Sequence, residues 1–386
     1  MNIQDLKSKF IEKYGEGEVD VFFSPGRVNL IGEHTDYNGG YVFPCALTFG
    51  TYCLVRRVER ASFRFASLNL PFQAELSFDQ LTKPLDDKWV NYPLGVIAQF
   101  VKRGITFEQG ADLMFYGNVP NGAGLSSSAA LEVVTAVALN DVYSCGLDRV
   151  ELVKMSQKAE HEFAGVHCGI MDQFASGMGA KDHAIFLNCD TLEYDLVPVK
   201  LEGAKIVISN TNSPHKLDSG KYNERVAECN QAVKAICEKR EIKNLGELSL
   251  DDFDSLSGMI ADEVVRRRAH HVVSEIQRTS DAVAELKKGN IDVFGQLMNA
   301  SHDSLRDDYE VTGLHLDTMV EEARKIDGVI GSRMTGGGFG GCTVSIVKDE
   351  AVDQFIEQVG AGYKSKTGIT PEFYVAEIGD GGCKIG

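Results

Sequence analysis

Hydrophobic residues recur along the chain with periods that predict both strands and helices in its first half. Leu131, Val134, Ala138 and Val142 lie at i, i+3, i+7 and i+11, which is the spacing of one face of a helix. Short runs rich in β-branched and aromatic residues predict strands. The predicted strands are residues 19–23, 41–47, 51–58, 62–68 and 112–116, and the predicted helices are residues 92–102, 127–143 and 148–163.

The second half of the chain has the pattern of helices around fewer strands. A buried strand is predicted at 205–210, helices at 223–240, 262–286, 291–307 and 314–325, and further strands at 342–347 and near 373–377. Strands with helices in both halves predict an α/β or α+β protein of two lobes. The division falls near residues 195–205, and a functional site is expected between the lobes.

Composition narrows the class of protein. A length of 386 residues exceeds what one compact core usually holds, so two domains are expected. The hydrophobic content of 43% with 25% charged residues is typical of a globular protein. The net charge of −17 disfavours nucleic acid and anionic membranes as partners. Any phosphate that binds must therefore be held by local features such as helix N-termini, a metal ion and a few cations.

The start of the chain and its cysteines indicate the compartment. Leu6, Phe10 and Tyr14 predict a short amphipathic helix that docks onto the body of the protein. This segment is charged and no run of 18 apolar residues occurs, so neither a signal peptide nor a transmembrane helix is expected. Nine cysteines without a C-x-x-C pair indicate neither a disulfide framework nor a zinc site. A cytoplasmic protein is expected.

The first glycine loop, Gly122-Ala-Gly-Leu-Ser-Ser-Ser128, leads directly into the predicted helix at 127–143. Glycines allow the backbone to approach a bulky anion, and the first turn of a helix offers N–H groups without intrahelical partners. The chain has no G-x-x-x-x-G-K-[ST] motif, so a phosphate bound here needs another cation, most simply Mg²⁺. Alternatively, the serines only cap an ordinary helix.

The second glycine loop, Thr335-Gly-Gly-Gly-Phe-Gly-Gly341, contains a G-x-G-x-x-G pattern. A dinucleotide-binding fingerprint requires a helix after the loop, whereas a predicted strand follows here. A protein-kinase loop is excluded because no V-A-I-K, H-R-D or D-F-G motif accompanies it. Five glycines in six residues exceed the need of a hairpin and predict the close approach of a ligand or another backbone segment.

A charged cluster lies between the first predicted strand and two glycines at 39 and 40. Arg27, Glu33, His34 and Asp36 could be metal ligands, a catalytic dyad or a polyol-binding cluster. A histidine beside the carboxylates disfavours a dedicated Mg²⁺ site, whereas carboxylates suit the vicinal hydroxyls of a sugar and Arg27 suits a phosphoryl oxygen. A solvated loop with an internal ion pair is the alternative. The flanking apolar residues favour a partly buried arrangement.

A third acidic position follows the helix that contains Glu160. Asp172 lies in G-I-M-D-Q-F among large apolar residues, where a charged side chain must be paired, hydrogen-bonded or functional. The alternative is an aspartate that caps a helix. His167 and Cys168 lack partners at metal-ligand spacing and are interpreted as structural.

Four motifs together resemble those of the galactokinase family, a branch of the GHMP small-molecule kinases. They are S-P-G-R-V-N-L-I-G-E-H-T-D-Y-N, N-V-P-N-G-A-G-L-S-S-S-A-A-L, C-G-I-M-D-Q-F and R-M-T-G-G-G-F-G-G-C, and the match covers essentially the whole chain. The first motif is specific to galactokinases and the related N-acetylgalactosamine kinases, whereas the glycine loops mark the wider family. The resemblance implies an α+β, two-lobed fold with the active site in the cleft between the lobes. The N-terminal lobe, residues 1–203, has a mixed β-sheet and helices, and the C-terminal lobe, residues 204–386, has an antiparallel sheet and helices.

The resemblance also implies an activity and roles for individual residues. The implied reaction transfers the γ-phosphate of ATP to O1 of α-D-galactose, giving galactose 1-phosphate in the Leloir pathway. Asp172 matches the acid that faces the O1 hydroxyl, and Arg27 matches the arginine that orients this acid and stabilises transferred charge. The implied sugar-binding residues are Glu33, His34, Thr35, Asp36, Gly169 and Tyr222.

For ATP and Mg²⁺ the resemblance implies a second set of residues. The implied nucleotide-binding residues are Ser67, Trp89, Gly122, Ala123, Gly124, Leu125, Ser126, Ser127 and Ser128, and the implied Mg²⁺ ligands are Ser128 and Glu160. Trp89 and Ser67 match positions near the adenine, and the others form the triphosphate loop. The segment 212–221 departs from the family pattern, because it contains Pro214 and places Lys221 before Tyr222 where many relatives have an acid.

Other functions remain as alternatives. The nearest is a kinase of N-acetylgalactosamine, mevalonate or homoserine, although Glu33 to Asp36 favour a hexose, with Asp36 as the candidate partner of the axial 4-hydroxyl. A non-catalytic sensor of sugar and ATP is disfavoured by the presence of Asp172 and both implied metal ligands. A dinucleotide oxidoreductase is supported only by the second glycine loop. Galactose and ATP are the expected partners, and a monomer is the expected state.

Overall fold

The computed structural model describes residues 1–86, 88–119, 124–213 and 219–386. In the first half of the chain the described elements include both strands and helices. In order they are α1 (Ile3–Tyr14), β1 (Asp20–Asn29), β2 (Tyr41–Val42), β3 (Pro44–Val58), β4 (Ser62–Ser67), β5 (Ala74–Ser77), α2 (Asn91–Lys102), β6 (Gly110–Gly117), α3 (Ser127–Val142), α4 (Arg149–Ala159), α5 (Met171–Met178), β7 (His183–Asn188) and β8 (Tyr194–Pro198).

The second half is richer in helices, as the sequence pattern predicts. Its described elements are β9 (Ala204–Asn210), α6 (Ser219–Cys237), α7 (Leu250–Leu256), α8 (Glu263–Lys287), α9 (Ile291–Asp307), α10 (Gly313–Ala323), β10 (Val329–Thr335), β11 (Cys342–Lys348), α11 (Val352–Thr367), β12 (Glu372–Ala376) and β13 (Cys383–Lys384). No helix in these described ranges is both long enough and apolar enough to cross a membrane.

Helix α1 has the capped, amphipathic form that its sequence predicts. The Asn2 side chain accepts from the Asp5 N–H, and the Asp5 carboxylate accepts from the Asn2 N–H, so both exposed donors at the start of the helix are satisfied. Leu6 and Phe10 are fully buried and pack against strands β1, β3 and β6. The predicted docking of this helix onto the body of the protein is confirmed.

The first sheet is mixed and has the order β13-β1-β3-β6-β4-β5. Strands β4 and β6 pair in parallel and the other neighbours are antiparallel. Because side chains alternate across a strand, Cys53 and Val55 of β3 face the core formed with α2, α3 and α4, whereas Leu54 faces α1. This sheet therefore has helices on both faces. Its strand β1 contains Arg27 of the charged cluster.

The second sheet is antiparallel and has the order β10-β11-β9-β12. Ile206 and Ile208 of β9 face a core shared with α8 and α9, and Val207 faces α10 and α11 on the other side. The first of these cores also contains Val28 and Phe43 from the first half of the chain, so it connects the two sheets. The prediction of an α+β fold with mixed and antiparallel sheets is confirmed.

Several elements were not predicted from the sequence. They are β5, α5, α7, β7, β8, β10, α11 and β13. Helix α5 has only eight residues, too few for a helical period to emerge. Strand β10 contains both a glycine and an arginine, and the buried Arg333 donates to Ser301 and Asn29, which are distant in sequence.

The division of the chain after residue 203 stays a prediction. Strand β9 begins at Ala204 and is the first strand of the second sheet. Strand β13, however, pairs with β1, with Cys383 opposite Phe23 and Lys384 opposite Phe22. The last described residues thus lie in the sheet of the N-terminal half, and a lobe defined by contacts would include them there.

Candidate active site

Arg27 and Asp172 form a bidentate ion pair. Arg27 Nε donates to Asp172 Oδ1 at 2.8 Å and Nη2 donates to Oδ2 at 2.9 Å. The Ser126 hydroxyl also donates to Oδ2. The Arg27 side chain is only 4% exposed, whereas Asp172 retains 28% exposure. The carboxylate is thus held by three donors and still accessible to a ligand.

An irregularity in strand β1 allows Arg27 to contact the first glycine loop. The register between β1 and β3 shifts between Pro25 and Arg27. The Arg27 N–H donates to the Leu125 carbonyl at 3.1 Å, and Nη1 donates to the Gly124 carbonyl at 2.8 Å. A Cβ at Gly26 would lie 2.7 Å from the Leu125 oxygen, so this close approach requires glycine.

The serines of the first glycine loop have separate environments. Ser126 precedes α3 with a φ of 61° and makes no hydrogen bond to the helix N–H groups, because its hydroxyl faces Asp172. The alternative that this serine caps the helix is therefore wrong. Ser127 is exposed and Ser128 is half-buried. Gly122 and Ala123, which the resemblance assigns to the nucleotide, lie outside the described residues.

Glu33 joins the loop after β1 to the second glycine loop. Its Oε1 accepts from the Gly336 N–H at 2.8 Å and from Arg333 Nη1 at 3.4 Å. Burial raises the pKa of Glu33, while Arg333 and Arg27 act in the opposite direction. Arg333 is fully buried and also donates to the Asn29 carbonyl at 3.0 Å. This arginine was missed from the sequence, although it begins the fourth family motif, three residues before Gly336.

Asp36 lies close to Asp172, and Gly169 makes room for it. A Cβ at Gly169 would lie only 1.9 Å from Asp36 Oδ2. Burial and the neighbouring Asp172 raise the pKa of Asp36 to about 7, although the N–H groups of Tyr37 and Met171 favour its charged form. The structure therefore places the carboxylates of Asp36 and Asp172 close enough for the charge of Asp172 to affect the pKa of Asp36.

His34 begins a buried chain of hydrogen bonds. Its Nδ1 lies 2.9 Å from the Tyr37 hydroxyl, which lies 2.7 Å from the Tyr309 hydroxyl, and Cys229 Sγ is 3.2 Å further on. Burial lowers the pKa of His34 to about 3, so the ring is neutral. Tyr222 packs beside it, with ring centroids 5.7 Å apart. His34 and Tyr222 are thus neighbours, as the resemblance implies.

Thr35 differs from the rest of the predicted sugar-binding set. Its hydroxyl is buried and lies 2.7 Å from the Tyr41 carbonyl and 3.0 Å from the Gly32 carbonyl. This hydroxyl is engaged within the loop. We therefore assign the Thr35 side chain to holding the loop in shape rather than to contact with a ligand.

Glu160 lies in a buried polar cluster next to Ser128. Its Oε2 accepts from Gln173 Nε2 at 2.6 Å and from Cys168 Sγ at 3.3 Å. A hydrogen bond from the Ser128 hydroxyl favours the ionised form, but burial and Asp172 raise the pKa of Glu160. Glu160 begins a single π-helical turn, Glu160–Ala164, which ends at Gly165 with a φ of 71°. Such turns occur frequently at functional sites.

The donor set at Ser128 and Glu160 fits Mg²⁺. One hydroxyl and one carboxylate are hard oxygen donors, and Mg²⁺ usually takes one or two carboxylates together with substrate phosphates and water. Among the described residues, no group of three or more histidine, cysteine or acidic side chains could hold a metal by itself. Such a two-ligand site needs phosphate oxygens to be complete.

Trp89 and Ser67 both lie beside Phe115 of strand β6 in the first sheet. The Trp89 ring is half-buried against Phe115, and its Nε1 donates to the Phe72 carbonyl at 2.9 Å. Ser67 ends β4, and its hydroxyl accepts from the N–H groups of Asn69 and Leu70. The contacts of both side chains are with other residues of the chain, and their assignment to the nucleotide stays a prediction.

Comparison with known proteins agrees with this geometry. The family models that match describe a galactokinase galactose-binding signature over residues 8–57, a GHMP kinases N terminal domain over residues 91–180 and GHMP kinases C terminal over residues 282–365. The galactokinase of Fusobacterium nucleatum subsp. nucleatum is 54% identical over 386 residues, covering 99% of this chain and 98% of that protein. That of Clostridium acetobutylicum is 53% identical over 385 residues, covering 99% of each.

A solved structure extends the agreement to three dimensions. The crystal structure of Lactococcus lactis galactokinase complexed with galactose superimposes with a TM-score of 0.97 at 46% identity, covering 99% of this chain and 100% of that one. The two chains therefore share the same fold over their whole length. The chain therefore belongs to the galactokinase family, the ATP-dependent sugar kinases of the GHMP type.

Proposed function

We propose that the protein transfers the γ-phosphate of ATP to O1 of α-D-galactose, giving α-D-galactose 1-phosphate and ADP. The observation that supports this most strongly is the Arg27–Asp172 pair, held against the first glycine loop with its carboxylate still exposed. A sugar hydroxyl that meets Asp172 there lies next to the segment that the family uses for the triphosphate. The sugar hydroxyl that accepts the phosphoryl group and the triphosphate that donates it are then adjacent.

Asp172 is the proposed proton acceptor. As O1 attacks the γ-phosphorus, the O1–H proton passes to the Asp172 carboxylate, and the bond from phosphorus to the β,γ-bridging oxygen breaks with its electron pair leaving on ADP. The two N–H groups of Arg27 stabilise the ionised carboxylate, and the guanidinium also offsets charge on the moving phosphoryl group. Positioned acid–base groups of this kind contribute about 10²- to 10⁴-fold in rate.

The nucleotide is held by the N-terminus of α3 and by Ser128 and Glu160. Free N–H groups at a helix start favour anions, which a protein of charge −17 otherwise repels. Mg²⁺, when bound at Ser128 and Glu160, neutralises charge on the β- and γ-phosphate oxygens. These two side chains hold that ion in place, and Trp89 with Ser67 are the proposed neighbours of the adenine.

Sugar recognition is assigned to the loop after β1 and to Tyr222. Glu33 and His34 are buried and Asp36 is half-buried, and Gly169 leaves the space that the Asp36 carboxylate occupies. We assign the axial 4-hydroxyl of galactose to Asp36. A site built to bind a hydroxyl rejects a sugar that lacks it in that position, because the buried acceptor is left unpaired.

The test is ADP release with Mg²⁺ and ATP against galactose, N-acetylgalactosamine, glucose, talose and mevalonate. Turnover with galactose and little with glucose is expected. Turnover chiefly with N-acetylgalactosamine or mevalonate would overturn the choice of substrate. Saturable binding of galactose and ATP without turnover would show a sensor and overturn the assignment of Asp172.

The compartment and the partners of the enzyme are proposed from its cysteines and its net charge. All nine cysteines are free thiols, which supports a reducing compartment, the cytoplasm. The net charge of −17 disfavours nucleic acid and anionic membranes as partners. A monomer with galactose and ATP as its ligands is the proposed working state.

A further inference from the structure

Gln173 lies between two buried carboxylates. Its Nε2 donates to Glu160 Oε2 at 2.6 Å and to Glu132 Oε2 at 3.0 Å. Gln173 and Glu132 are both fully buried, and Glu160 is 7% exposed. An amide nitrogen has two protons, so one Gln173 side chain can satisfy one oxygen of each acid at the same time.

The amide also determines which oxygen of Glu160 is held by the protein interior. Both Gln173 and Cys168 donate to Oε2, so this oxygen is turned toward the protein interior. A carboxylate whose one oxygen is held in this way presents the other oxygen, Oε1, to a cation. Groups that orient metal ligands by such hydrogen bonds typically change metal affinity about 10- to 100-fold when they are removed.

Glu132 anchors the far side of this arrangement. It lies in α3, the helix whose first turn contains Ser128, whereas Gln173 lies in α5 one residue after Asp172. The contact with Glu132 prevents the amide from rotating away from Glu160. The same side chain thus connects the helix behind the phosphate loop, the metal ligand and the helix of the proton acceptor.

We propose that Gln173 is a positioning residue for the binding of Mg²⁺·ATP. Its amide orients the Glu160 carboxylate, and Glu132 anchors that amide. This inference rests on the proposed function, because it takes Glu160 as a Mg²⁺ ligand. Gln173 touches neither the substrate nor the metal ion, and its effect passes entirely through Glu160.

The test compares Gln173→Met, which keeps the length of the side chain and removes both N–H donors, with the wild type. The Mg²⁺ concentration for half-maximal activity is expected to rise about 10- to 100-fold. Mn²⁺ binding in the presence of a non-hydrolysable ATP analogue, followed by electron paramagnetic resonance, should weaken in parallel. Galactose affinity measured by calorimetry without metal is expected to stay within about twofold of the wild type, since Arg27 and Ser126 still hold Asp172.

A matched control is Gln157→Met, because the Gln157 side chain donates to the Cys168 carbonyl and not to the Glu160 carboxylate, and its backbone contact with the Glu160 N–H is kept in the variant. Its metal dependence should be unchanged. If Gln173→Met fails to fold, Glu132→Leu tests the anchor and is expected to weaken Mn²⁺ binding in the same direction.

Two results would overturn the inference: unchanged metal affinity in Gln173→Met, or an equal loss of galactose and metal affinity, which would indicate general damage around Asp172. Because Mn²⁺ binding is measured without turnover, its result is independent of whether galactose proves to be the substrate. A failure of the proposed function and a failure of this inference are therefore distinguishable.

Discussion

The carboxylate of Glu33 accepts a hydrogen bond from the N–H of Gly336 at 2.8 Å and so ties the sugar-binding loop after β1 to the second glycine loop. The five glycines of that loop were predicted to allow close approach of a ligand or another backbone segment. The structure shows that what approaches is another segment of the same chain: a Cβ at Gly336 would lie 3.0 Å from the Gly124 carbonyl. The two glycine loops are therefore in contact with each other.

The buried pair of Glu33 and Arg333 can be tested by a double-mutant cycle. We expect Glu33→Gln and Arg333→Met each to lower the free energy of unfolding by about 3–5 kcal/mol, because each leaves an uncompensated buried charge or donor. The double variant should lose clearly less than the sum of the two. Urea unfolding monitored by circular dichroism measures this, and additive losses would show that the 3.4 Å contact contributes no coupling.

The elevated pKa of Asp36 predicts a pH dependence of sugar binding. Burial and Asp172 raise this pKa from 3.8 to about 7, so ionisation of Asp36 destabilises the unliganded fold as the pH rises from about 4 to 7. Galactose hydroxyls donate best to the ionised form. The dissociation constant for galactose should therefore increase as the pH falls below about 7, by up to about tenfold per pH unit.

Calorimetric titration with galactose between about pH 5.5 and pH 8.5, a window that brackets the pKa of Asp36, provides the measurement. Asp36→Asn is expected to bind galactose weakly at every pH, with a nearly flat profile. A wild-type profile that is equally flat would contradict the assignment of Asp36 to the sugar.

Gly169 offers a steric test of the same contact. In Gly169→Ala the new Cβ would meet Asp36 Oδ2 at 1.9 Å, so the carboxylate must move. We expect the KM for galactose to rise at least about tenfold, the effect of losing roughly 1.4 kcal/mol of binding, with the KM for ATP little changed. Gly258→Ala is the control, because a Cβ added at that glycine would have no heavy atom within 4 Å, and its substitution should be neutral.

The sequence singled out residues that lie together in the candidate site, but it did not predict most of their contacts. Arg27, Asp36 and Asp172 were singled out, and the structure brings them together. The pairing of Ser126 with Asp172 was not predictable, because a serine before a helix usually caps it and only the φ of 61° turns the hydroxyl elsewhere. Arg333 was missed because a single arginine in a strand gives no local signal, and its partner Glu33 lies 300 residues away.

The metal site can be examined by comparing two acids of one helical turn. Glu160 is buried beside Ser128, whereas Glu162 is exposed and pairs with Lys102. Glu160→Gln should raise the Mg²⁺ concentration for half-maximal activity at least about tenfold, since a neutral amide is a poorer ligand for a hard cation. Glu162→Gln should leave it unchanged. Equal effects of the two substitutions would argue against a ligand role for Glu160.

The central claim is that Asp172, oriented by Arg27, accepts the proton of the sugar hydroxyl. The most direct measurement is the single-turnover rate of galactose 1-phosphate formation by Asp172→Asn, with galactose and ATP binding measured on the same protein. We predict a rate lower by about 10²- to 10⁴-fold with ATP affinity within a few-fold of the wild type. Formation of galactose 1-phosphate at the wild-type rate would contradict the account.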